Sequence, residues 1–175
     1  IVEQKDANAA EAAVTECNSG FYCFDAQALF EALEQVGSDN AQGEFYLTDV
    51  LEICRGTGRD VLALPASDVS ECLGVNSRVQ LAAATCALQS RINKEHMAAG
   101  VTMWDPTSVW IGPDVEIAPD VELLPQTFLL GKTRVGEDSV IGPNTRLTDT
   151  VVGSGCTIDE TVAIEARIDD EATCG

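Results

Sequence analysis

The chain has 175 residues, with 29 acidic against 10 basic side chains, a formal charge of −19 and 45% apolar content, enough for one sizeable core or two small ones. Such acidity excludes non-specific binding to nucleic acid or to an anionic membrane surface, both of which require a positive face. No apolar run approaches the length of a membrane span, the opening IVEQKDANAAEAA lacks the regions of a signal peptide, and seven cysteines without a C-x-x-C, beside the single His96, fit neither a disulfide framework nor a zinc site, so a protein of the reducing cytoplasm without membrane insertion is expected.

Residues 1–75 read as α/β. GFYCFD predicts a strand, and AQALFEALEQVG a helix capped by Asp25, with Leu29, Phe30 and Leu33 on its buried side and Gly37 at its end. FYLTDVLEICRGTG predicts a second helix with closely spaced Val50, Leu51, Ile53 and Cys54, ending at Gly56 or Gly58, and VLALPA a short strand. Residues 76–100 differ. From Ser77 to Ala99 the sequence has no Gly or Pro and is rich in Ala, Leu, Gln and Arg, which predicts one long helix closed by Gly100 and bridging two domains.

Residues 101–175 carry a period of six. Ile111, Ile117, Leu123, Leu129, Val135, Ile141 and Leu147 are seven consecutive sixth positions, all aliphatic. Neither the 3.6 of a helix nor the 2 of a half-buried strand selects that spacing. It is the period of a parallel β-helix of hexapeptide repeats, in which each unit supplies one short strand and one corner and three units close a triangular coil. Gly112-Pro113-Asp114, Gly136-Glu137-Asp138 and Gly142-Pro143-Asn144 place turn formers where corners must fall. The phase slips after Leu147, to Val152, Ile158 and Ile164, and again to Ile168 and Cys174, which predicts irregular corners there. Cys174 then reads as a small buried hydrophobe. A single histidine weighs against a carbonic-anhydrase-like hexapeptide enzyme.

An α/β segment, an Ala-rich helix and a hexapeptide solenoid, in that order, resemble the bacterial bifunctional N-acetylglucosamine-1-phosphate uridyltransferase and glucosamine-1-phosphate acetyltransferase family. The residues that carry the resemblance are Ile1-Val2-Glu3-Gln4-Lys5-Asp6-Ala7, Asn18-Ser19-Gly20, the stretch Asn40-Ala41-Gln42-Gly43-Glu44-Phe45-Tyr46-Leu47-Thr48-Asp49, Gly74-Val75-Asn76-Ser77-Arg78-Val79-Gln80-Leu81, and Ala99-Gly100-Val101-Thr102. Ser19 departs from the more usual Thr. The resemblance implies the C-terminal part of a Rossmann-like nucleotidyltransferase domain over 1–75, a linker helix over 76–100 and the first coils of a left-handed β-helix over 101–175. The family's Gly-rich nucleotide loop and the aspartate that shares its magnesium would lie before Ile1, and its acetyl-CoA site beyond Gly175. This chain alone is therefore expected to be inactive.

By the resemblance, Glu3 and Asn18 hydrogen-bond N-acetylglucosamine, Asn76 offers its amide oxygen to Mg²⁺ and touches the nucleotide sugar, and Tyr46 and Thr48 line the same pocket. The implied reaction joins UTP and N-acetylglucosamine 1-phosphate into UDP-N-acetylglucosamine, a cell-wall precursor, in a homotrimer assembled through the solenoid. Hard oxygen ligands suit magnesium on phosphates, and orientation is the chief demand of an in-line displacement. Plainer readings stand beside each residue: Asn76 as a helix N-cap, Asn18-Ser19-Gly20 as a turn, Glu3 as an exposed strand residue, and AQGE as a loop before a cap at Thr48 or Asp49. Two other functions stay open, namely a different sugar-nucleotide pyrophosphorylase with a hexapeptide tail, or an inert piece that only oligomerises.

Overall fold

The computed structural model describes residues 1–175, in two compact units, 1–72 and 73–175. In the first, helix α1 (Ala26–Leu33) starts where expected, because Asp25 accepts the Ala28 amide at 2.9 Å. Helix α2 (Asp49–Gly56) packs on it through a small core of Ala32, Val50 and Cys54 flanked by Phe24, Leu29, Val36 and Ile53. Two sequence expectations fail here. The buried face of α1 is Ala28 and Ala32, while Phe30 is 67% exposed and Leu33 is also exposed, because only one helix covers α1 and small side chains let it approach.

The expected strands are also absent, so the described residues of unit 1 form no β-sheet and lend no support to the Rossmann-like expectation. Residues 21–25 and 59–66 have no regular secondary structure and enter no sheet, and Leu62 and Leu64 are 85% and 90% exposed. An apolar run becomes a strand only when it pairs with another, and these two runs do not bond each other.

Unit 1 ends in a one-turn 3₁₀ helix (Val69–Cys72), and the first element of unit 2 is helix α3 (Arg78–Ala98). Ser77 is the N-cap, its hydroxyl accepting the Gln80 amide at 3.2 Å, and the Gln80 side chain reaches back to accept the Asn76 amide at 2.8 Å. At the other end Gly100, at φ +103°, reverses the chain so that the Val101 amide bonds the His96 carbonyl. The helix groups with the solenoid in one compact unit, 73–175. It is fastened mainly by amides. Gln89 donates to the Thr107 and Val109 carbonyls, and Asn93, 1% exposed, donates to those of Pro106 and Val109 at 2.8 and 2.9 Å.

Thirteen short strands follow, from Thr102–Met103 to Thr173–Cys174, in three parallel sheets of five, four and four that form the sides of a solenoid of about four turns. Trp110 pairs with Phe128, and Phe128 with Arg146, eighteen residues on each time. Arg134 then pairs with Val151 after seventeen residues, and Val151 with Arg167 after sixteen. The slips of phase are these shortenings: one residue is lost at the Asp149 corner (φ 49°), and the two lost in the sixteen-residue coil fall at the Glu160 (φ 41°) and Glu165 (φ 48°) corners, all in the left-handed region.

Leu123, Leu129, Ile141, Leu147 and Ile158 are fully buried and stack along the axis. Each such side chain is worth about 1.5–3 kcal/mol of apolar burial. Ile164 is a correction: it points outward at 59% exposure, and Ala163 takes the inward place opposite Leu147. A second inward position, two residues before the aliphatic one, is equally dry. Val109, Val115 and Val121 hold it in the first coil, then Thr127, Thr133, Ser139, Thr145, Thr150 and Cys156.

Candidate functional site

The sequence motifs of unit 1 meet at the start of the chain. A turn closed by the Asp6 amide on the Glu3 carbonyl (2.9 Å) holds Glu3 half-buried, with its carboxylate in no hydrogen bond. Asp6 Oδ1 accepts the Ala41 amide at 2.7 Å, and Oδ2 accepts the Tyr46 hydroxyl at 3.3 Å. Lys5 Nζ donates to Gln42 Oε1 at 2.6 Å, and Gln42 Nε2 donates to the Tyr46 hydroxyl at 2.7 Å. Asn40 closes the loop on itself, its Oδ1 accepting the amides of Gln42 and Glu44 and its Nδ2 donating to the Glu44 carbonyl. The bond from Gln42 favours the Tyr46 phenolate, but loss of solvent and the Asp6 charge outweigh it and raise the hydroxyl's pKa above its usual value.

The other candidates make no hydrogen bond to that ring. Asn18 is exposed, its Oδ1 accepting the Gly20 amide at 3.1 Å and its Nδ2 donating to the Tyr22 hydroxyl. Tyr22 in turn stacks on Phe24, with centroids 5.6 Å apart. Thr48 is buried at the start of α2 and makes no side-chain capping bond. Asn76 belongs to unit 2 and is exposed. Since Ser77 caps α3, the Asn76 carboxamide has no capping duty and makes no hydrogen bond, which leaves one hard oxygen free. No group of three or more His, Cys, Asp or Glu side chains converges as a metal cage. A magnesium ion would have to take its other ligands from phosphates and water, as that ion commonly does.

Sequence reasoning left Lys5, Asp6, Asn40 and Gln42 as motif letters without roles. Their signal was present, since two charged and two amide side chains in the motifs that flank Glu3 and Tyr46 can bond each other, but a partner 35 or 40 residues away is invisible without the fold. Two open depressions lie on the solenoid faces, one around Glu116, Arg134 and Val152 and one around Phe128, Arg146 and Val162. Neither contains any of the five candidates.

A parallel β-solenoid with an amide-pinned helix, preceded by a small helical unit whose motifs cross-link, defines the class of chain. All 175 residues align at 47% identity with a protein of Lactobacillus johnsonii, at 48% with one of Lactobacillus helveticus and at 43% with one of Clostridioides difficile, each named bifunctional protein GlmU. The chain is thus a relative of these proteins along its whole length, and it spans 38% of theirs. No family model matches it.

Proposed function

We propose that the chain is the part of a bifunctional transferase that helps to bind and orient N-acetylglucosamine 1-phosphate and UTP as UDP-N-acetylglucosamine and pyrophosphate form. What supports this reading is the alignment of all 175 residues with proteins named GlmU, beside the sequence motifs that hold Glu3, Asn18, Tyr46 and Asn76. Glu3 presents a free, half-buried carboxylate to a sugar hydroxyl, Asn18 an amide to the N-acetyl group, and Tyr46 lines the loop side, with Thr48 beneath it. Asn76 is the residue that would hold Mg²⁺. That ion neutralises charge on the phosphates, and the chain's own groups orient the sugar rather than move protons. The solenoid winds left-handed, belongs with the acetyl-transfer half and assembles as a trimer. Seven unpaired cysteines agree with a reducing cytoplasm.

A chimera in which these residues replace the matched segment of the Lactobacillus johnsonii protein tests the proposal. It should release pyrophosphate from UTP and N-acetylglucosamine 1-phosphate, and Glu3→Gln, Asn18→Ala and Asn76→Ala should each lower that rate by roughly tenfold or more, about 1.4 kcal/mol of transition-state stabilisation. A cooperatively folding chimera without turnover, or three silent variants, overturns it.

A further inference from the structure

We propose that Asp6 is the positioning residue for the sugar-binding groups of unit 1: its carboxylate ties the turn bearing Glu3 to the Asn40–Glu44 loop and to the Tyr46 hydroxyl. The inference rests on the sugar-binding reading above.

Both oxygens of Asp6 are used, and on different elements, the Ala41 amide on Oδ1 and the Tyr46 hydroxyl on Oδ2. The Tyr46 oxygen has a partner on two sides, donating to Asp6 and accepting from Gln42. Lys5 on Gln42 completes a closed circuit of Asp6, Tyr46, Gln42 and Lys5, spanning sequence separations of 37 and 40 residues. The Asp6 amide closes the turn that presents Glu3.

All of these bonds are solvent-exposed, and exposed polar contacts add little to stability. What the circuit supplies is fixed geometry between the Glu3 turn and the loop, and misplaced orienting groups lose binding out of proportion to the energy of the bonds that hold them. A plain tether would not require the carboxylate to be shared between a backbone amide and a side chain that faces the same ligand.

The test uses the chain itself, labelled with ¹⁵N and with ¹³C-tyrosine, titrated with N-acetylglucosamine 1-phosphate and Mg²⁺ and followed by NMR. In Asp6→Ala the Ala41 amide and Tyr46 ring signals should move, and the apparent Kd should rise about fivefold to tenfold while the unfolding midpoint holds. Asp6→Asn keeps an oxygen for the Ala41 amide but puts an NH₂ where the Tyr46 hydroxyl donates, so it should restore the Ala41 signal and recover only part of the lost affinity. Glu3→Gln reports on the underlying reading. Weakening in Glu3→Gln but not in Asp6→Ala overturns the role of Asp6 and leaves the sugar site standing. No response of the parent chain to the probe overturns the sugar site and, with it, the role built on it. A weaker Kd in Asp6→Ala accompanied by loss of helix or of cooperative melting assigns Asp6 to folding and overturns the positioning role.

Discussion

Replacing Thr133 by Val removes one hydroxyl from the dry interior of the solenoid and keeps the shape. The Thr133 hydroxyl donates to the Leu130 carbonyl at 2.7 Å and accepts the buried Thr150 amide from the next coil at 3.2 Å. Leu130 keeps a second donor, the Asp149 amide. The Thr150 N–H keeps none, and an orphaned buried donor costs about 1–3 kcal/mol. Thr127→Val is the matched control, because the Thr127 hydroxyl only donates, to the Leu124 and Ile141 carbonyls, and accepts no amide. It should cost less, since it strips the Leu124 carbonyl of its donor but orphans no buried N–H. Both tryptophans, Trp104 and Trp110, lie in unit 2, so their fluorescence during urea or thermal unfolding follows the solenoid alone. Thr133→Val should lower its midpoint by roughly 5–15 °C, from about 4–8 °C per kcal/mol for a unit of this size, and Thr127→Val by less. Equal losses in the two variants, or none in either, would refute the argument that a lost acceptor, not a lost donor, sets the cost.

Gly136→Ala should destabilise unit 2 by more than about 1–3 kcal/mol, since a Cβ there would lie 2.6 Å from the Gly153 backbone, whereas Gly112→Ala, with its nearest neighbour at 3.5 Å, should be tolerated; unfolding midpoints decide. Ser77→Ala should lower the stability of α3 by about 0.5–2 kcal/mol in helical circular dichroism melts, and Asn76→Ala and Asn76→Asp should not, because Ser77 is the cap; in the chimera the order should invert for turnover. His96 has a pKa lowered by burial, with Glu95 opposing. Its folded-state pKa lies below the unfolded one, so its contribution is complete above the unfolded value and is lost as the pH falls below about 6.5. His96→Gln should therefore flatten the change in melting temperature between pH 7 and pH 5.

The solenoid was legible because its signal is local and repeated: an aliphatic residue at Ile111, Leu123, Leu129, Ile141 and Leu147 can stack only on its equivalents. The capping of α1 by Asp25 and the closure of α3 at Gly100 were legible for the same reason, as each needs only residues within one turn. Other features depended on what lies opposite. GFYCFD and VLALPA have strand composition, yet a strand is made by its neighbour, and the sequence does not show that none is there. Phe30 was assigned to a buried face because it is large and apolar, but α1 meets a single helix. Ile164 continued the period of six by count, and a corner one residue shorter turned Ala163 inward in its place. The second inward position went unseen because valine, threonine, serine and cysteine share it and no single class repeats. The sugar-site candidates came from resemblance, and the circuit through Asp6 came only from the fold. Capping separates Asn76 from Ser77 by one residue, which is the usual uncertainty of a helix boundary read from sequence.

The corners give the acidity of this chain a place. Eight residues other than glycine sit at positive φ, six of them Asp or Glu: Asp120, Asp138, Asp149, Glu160, Glu165 and Glu171. At several, the left-handed turn aims the amide at a carbonyl of the preceding coil, as from Glu160 to Pro143 and from Glu171 to Ser154. Their charges therefore run along the edges of a prism with rungs roughly 4.8 Å apart, closer than the Debye length of about 10 Å at 0.1 M salt. Asp120 and Asp138 share one edge on adjacent coils and Asp149 and Glu165 another, so added salt should weaken the repulsion within these pairs without touching the dry stack inside.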